Sequence, residues 1–76
     1  MLPDDKLDRL KELTSRAISV NRKLLSEEER FVEAVSGRQE TEVIKAINDE
    51  IVELNRTETL YIQAVTNILA SETHKE

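Results

Sequence analysis

The stretch IKAINDEIVELNRTETLYIQAVTNI, residues 44–68, decides the fold. Apolar side chains recur in it at Ile44, Ile47, Ile51, Leu54, Tyr61, Val65 and Ile68, in alternating steps of three and four, and Glu58 fills the remaining place in the series. Steps of three and four return to the same face of an α-helix, so this half of the chain reads as one long amphipathic helix with a heptad seam. Neither Gly nor Pro interrupts it. The helix is expected over about residues 41–70, with a frayed tail over 71–76 that holds His74 and Lys75.

Upstream, the same period runs through Leu7, Leu10, Leu13, Ala17, Val20, Leu24, Phe31 and Val35, which predicts a first helix over about residues 4–35. Pro3 suits its first turn, and Asp4 and Asp5 suit the positive end of its dipole. Leu2 is placed to staple the entry. Ser36-Gly37 marks the turn, over about residues 36–40, because Gly reaches the left-handed conformation without a steric cost. Ser36 with Gln39, or Thr41, is the expected cap of the second helix.

A competing signal lies inside the first half. Ser26 followed by Glu29 has the form of a capping box and would split helix one, giving a three-helix bundle. Against it, Leu10, Ala17, Leu24 and Phe31 stay seven apart across the site, and a break would scramble that phase. The expected fold is therefore all-α: a long, coiled-coil-like antiparallel hairpin in a single domain over residues 1–76. Folding about the turn sets Phe31 near Ile47, Leu24 near Leu54, Ala17 near Tyr61 and Leu10 near Ile68. Glu58 would lie beside Val20 and Asn21, with Arg16 and Lys23 in reach, as a polar residue that fixes register.

One seam leaves apolar residues over. Ile18, Leu25 and Val32 form a second row on helix one, and Val52, Ile62 and Leu69 form one on helix two. On a heptad wheel both rows fall on one flank of the hairpin, with Asn21, Asn48 and Asn55 beside them. Six apolar residues on one flank make a patch, and a patch marks an interface. The simplest cover is a second copy, giving a homodimeric four-helix bundle; a helix of another protein is the other candidate. The expected function is a small protein-interaction module, an adaptor, chaperone-like binder or regulator. The alternative is an RNA- or DNA-binding bundle that uses Arg9, Arg16, Arg22, Lys23 and Arg30 on the polar flank. Its architecture would be analogous to that of the small RNA-binding bundle Rop. No aromatic residue accompanies the basic stripe to stack on bases. A solvated face with ordinary ion pairs, such as Arg30 with Glu50, accounts for the same residues.

Composition narrows the chemistry. The chain of 76 residues has no Cys, one His and a net charge of −5, and charged residues make up 36% of it. Thiol nucleophiles, thiolate metal sites and disulfides are thus excluded. Gly-rich phosphate loops are missing, and no inward Glu-x-x-His pair supports a di-metal bundle. Glu28, Glu29, Glu33, Asp49 and Glu53 stand at helical spacing, but mostly on outer faces. No enzyme activity, cofactor or metal is expected. The first residues lack the basic and apolar segments of a signal peptide, and no apolar run reaches the 18 or so residues of a membrane span, so a cytoplasmic location is expected.

Overall fold

The computed structural model describes residues 2–73 and folds them as two helices, α1 (Asp4–Ser36) and α2 (Thr41–Thr73), with no strand. Helices of 33 residues should each run about 50 Å at 1.5 Å per residue, and the hairpin measures 55 × 17 × 13 Å. All packing between elements is α1 against α2. α1 passes through Ser26 without a break, so the three-helix alternative is not adopted. The seam explains why. Leu24 is buried just before Ser26, and Glu27 is half-buried just after it, so both belong to the face that α2 covers. Unwinding at Ser26 would cost that contact for one capping bond.

The seam itself is narrow. Leu13, Leu24, Ala34 and Ile47 are the buried hydrophobic residues among those described, and no side chain is sealed completely. Leu10, Ala17, Val20, Phe31, Ile44, Ile51, Leu54, Tyr61, Val65 and Ile68 are half-buried around them. Two positions depart from the expected stripe. Leu7 and Val35 are exposed, whereas Ala34 is buried and Glu27 half-buried. On α1 the seam steps through positions 13, 20, 27 and 34 on one side and 10, 17, 24 and 31 on the other; Leu7 and Val35 lie one residue outside it.

The turn differs from expectation at one residue. Gly37 has φ −81° and ψ 2°, a conformation open to any residue, and Arg38 takes the left-handed conformation at φ 53°. Gln39 N–H donates to the Ala34 carbonyl over 2.9 Å and Arg38 N–H to that of Val35 over 3.1 Å. These are the two bonds of a Schellman ending, with Arg38 where Gly is usually found. The helix runs one residue further than the Ser-Gly signal suggests, so the left-handed position passes to Arg38. α2 then starts from the Glu40 carbonyl, which accepts from Val43 and Ile44 at 3.0 and 3.2 Å, so Thr41 is the first helical residue rather than the cap. At the other end, Pro3 opens α1 with its carbonyl accepting from Lys6 and Leu7 and without a side-chain cap.

The far end of the hairpin is clamped. Lys6 and Glu72 form an ion pair across 66 residues of sequence, both side chains well covered. This continues α2 past the expected end at residue 70 to Thr73. It also confirms the register, because Lys6 and Glu72 continue the series that pairs Leu10 with Ile68. His74 and Lys75 lie outside the described residues.

A left-handed L-residue costs about 1–2 kcal/mol. Arg38→Gly should therefore stabilise the protein by about 1 kcal/mol, raising Tm by about 4–8 °C for a domain of this size. Thermal unfolding followed by circular dichroism checks this; an unchanged or lower Tm would mean that the turn carries no strain.

Candidate protein-interaction surface

The two faces of the hairpin beside the seam differ in kind. On one flank lie Ile18, Leu25 and Val32 of α1 with Val52, Ile62 and Leu69 of α2; all six are between 45% and 62% exposed. Leu7 and Val35, displaced from the seam, occupy the same flank at both ends of α1. Asn21, Asn48 and Asn55 are exposed between the apolar residues. Thr59 lies there too and donates its hydroxyl proton to the Asn55 carbonyl at 2.9 Å. Such a hydroxyl has its donor satisfied, and its burial is cheaper for that reason. Lys11, Glu28 and Lys45 are the flank's charges away from the helix ends. Shallow depressions dent its α1 side, one between Leu7, Leu10 and Thr14 and another between Leu25 and Val32.

The opposite flank is held by ion pairs. Arg9 and Arg16 both bond Glu12, at 3.3 and 2.7 Å. Arg30 bonds both oxygens of Glu27, at 2.7 and 2.8 Å, and reaches Glu50 of α2 at 3.6 Å, as the spacing predicted. Three members of the basic stripe are thus engaged with carboxylates. Arg22 and Lys23 are exposed and form no ion pair among the described residues. Arg16 is taken by Glu12 rather than Glu58; among the described residues Glu58 forms no ion pair and sits half-buried in the seam. Leu60 and Val43 are exposed hydrophobes on this side.

Glu27 is a seam side chain that the sequence pattern did not reveal. Its glutamate run reads as a capping box, but its place seven residues after Val20 and seven before Ala34 marks it as a seam position. It faces Glu50 across the hairpin, above a shallow groove lined by Lys23, Asp49, Glu53 and Leu54. When one of the two carboxyls carries a proton they share a hydrogen bond, and this splits their proton affinities. Glu27 is held below the usual glutamate value, first by the bond from Glu50 and then by that from Arg30. Glu50 is raised above it by the hydrogen bond and negative charge of Glu27. Arg30 is raised by its bond to Glu27.

Among the described residues no group of three or more His, Cys, Asp or Glu is arranged to hold a metal ion, and no helix is long and apolar enough to cross a membrane. No family model matches the chain, and neither a curated protein nor a solved structure matches it.

The proton linkage has a definite sign. A raised carboxyl stabilises the fold below its unfolded pKa, and the effect is lost as pH rises through the folded value; this is Glu50. Glu27, being lowered, contributes above its unfolded pKa and loses that contribution as pH falls through its folded value. At neutral pH Glu50 thus opposes Glu27. Glu50→Gln should raise Tm at pH 7, and the gain should vanish at a pH where Glu50 is protonated in folded and unfolded states alike. A gain that persisted unchanged into acid would show that the carboxyl pair is not its source.

Proposed function

We propose that the chain is a non-enzymatic interaction module, of the adaptor, chaperone-like or regulator type, whose working surface is the flank of Ile18, Leu25, Val32, Val52, Ile62 and Leu69. The observation that carries this reading is the surface the hairpin leaves open. A folded monomer of this mass exposes about 4,700 Å² by the usual scaling, whereas this one exposes 6016 Å², an excess of about 1,300 Å². A standard protein interface covers about 800 Å² on each partner, so the excess is enough to form one. The two sides of the hairpin indicate where. Ion pairs occupy the basic flank, while the other carries a nearly uncharged row of half-exposed aliphatic side chains.

The mechanism is burial of a helical surface against that row. Each aliphatic side chain removed from water contributes on the order of 1 kcal/mol, given that about half its surface is already covered. A helix pair of matching length supplies the right shape, which makes a four-helix bundle the natural product and a homodimer its simplest form. Three of the five basic residues hold carboxylates already, so the RNA- or DNA-binding alternative gains no support from the geometry.

An Ile18→Asp or Leu25→Asp substitution tests the reading, with Leu60→Asp as the matched change on the opposite side. A folded assembly unfolds at a higher temperature as its concentration rises. The wild type and Leu60→Asp should show this dependence; Ile18→Asp and Leu25→Asp should lose it while keeping helical circular dichroism. Loss in Leu60→Asp with retention in the other two would place the working surface elsewhere.

A further inference from the structure

The geometry points to a specific occupant and a specific arrangement: a second copy of this chain laid flank to flank and end to end, about a two-fold axis crossing at Asn21. The inference rests on the flank being an interface and adds what covers it and how.

Two-fold contacts are self-complementary, so residue i must suit residue j in both directions. If α1 lies antiparallel on α1 of the second copy with Asn21 against its own equivalent, Ile18 meets Leu25, and Leu7 meets Val35. Lys11 meets Val32, along which its aliphatic stem can lie. The row on α2 has its own centre. Val52 meets Ile62, Asn55 meets Thr59 and Asn48 meets Thr66 when α2 is reflected about position 57. The hairpin register places position 57 level with Asn21, since Val20 lies beside Glu58 and Ala17 beside Tyr61. Two rows on separate helices thus choose one axis. Ile18 with Leu25, Leu7 with Val35 and Val52 with Ile62 are apolar pairs; Lys45 falls on Leu69 as Lys11 does on Val32, Glu28 falls on Thr14, and amides meet amides or hydroxyls. Thr59 fits the scheme in detail: its proton is given to the Asn55 carbonyl of its own chain, which leaves its oxygen to accept from the Asn55 amide of the second copy.

A parallel arrangement, with the turns together, would also bring apolar rows into contact. Charge distinguishes the two. Residues 27–50, around the turn, carry eight carboxylates against three basic side chains, while the rest of the chain carries eight of each. All of the net −5 therefore sits at one end of the hairpin. Stacking turn on turn would bring two such ends together; the end-to-end arrangement sets each against the neutral end of its neighbour, most of the 55 Å length away from its like.

The chain has no Cys, so introduced thiols report cleanly. Asn21→Cys alone should oxidise to a disulfide-linked dimer, and Ile18→Cys mixed with Leu25→Cys should cross-link far more than either variant alone. The parallel arrangement would instead link Ile18→Cys to Ile62→Cys and leave Asn21→Cys unlinked; that result overturns the end-to-end inference while keeping the flank as an interface. A chain of monomer mass that forms none of these links would overturn both. Circular dichroism on each variant before oxidation establishes that it folds.

Discussion

Two helices can bury only the stripe along which they touch, and this limit governs the whole molecule. Each helix of the hairpin has one neighbour. The seam accordingly reaches full burial at Leu13, Leu24, Ala34 and Ile47 and leaves the remaining seam residues half-covered. A helix of 33 residues with a single narrow stripe depends on that packing, because isolated helices are marginal in water. Continuity through Ser26, the displaced turn and the clamp of Lys6 on Glu72 all keep the stripe in register along its length. The same limit makes a second flank of aliphatic side chains consequential. In a larger domain they would be core; here neither of the two described helices covers them.

Electrostatics fills in what the seam does not set. Short-range pairs along α1, Arg9 and Arg16 with Glu12 and Arg30 with Glu27, neutralise the flank that faces away from the apolar row. Such exposed pairs contribute little stability each. Their effect is on choice of surface: they leave one side solvated and the other nearly without charge. The acidic excess gathered at the turn acts at longer range and, in the proposed dimer, would set orientation rather than contact. Glu27 and Glu50, drawn together by the hairpin, place a proton-sensitive pair at that end.

The long features were legible in the sequence because they are periodic. Ile44 to Ile68 on one helix and Leu10 to Phe31 on the other repeat often enough to outweigh a local capping signal at Ser26. The apolar flank followed from the same wheel. What escaped was set by the hairpin as a whole. Gly37 looked like the left-handed residue, but the end of the seam, not the residue type, decides where the turn falls, and Arg38 takes the strain. Leu7 and Val35 looked like stripe residues because Glu27, a carboxylate, stands in the apolar series where the register needs a seam position. The Lys6–Glu72 pair joins the two ends of the chain, a contact that no local pattern announces. The aliphatic rows suggest a surface to be covered but not how; the orientation proposed for it depends on the register of both helices and on the charge at the turn.

The central claim is that a second helical pair covers the apolar flank in solution, the second copy being the partner at hand. Light scattering on the purified chain across a concentration series tests it most directly. The account predicts a mass of twice 8.7 kDa that falls toward the single-chain value only on dilution. A mass of 8.7 kDa at every concentration would contradict it, because the hairpin would then be carrying that flank bare in water.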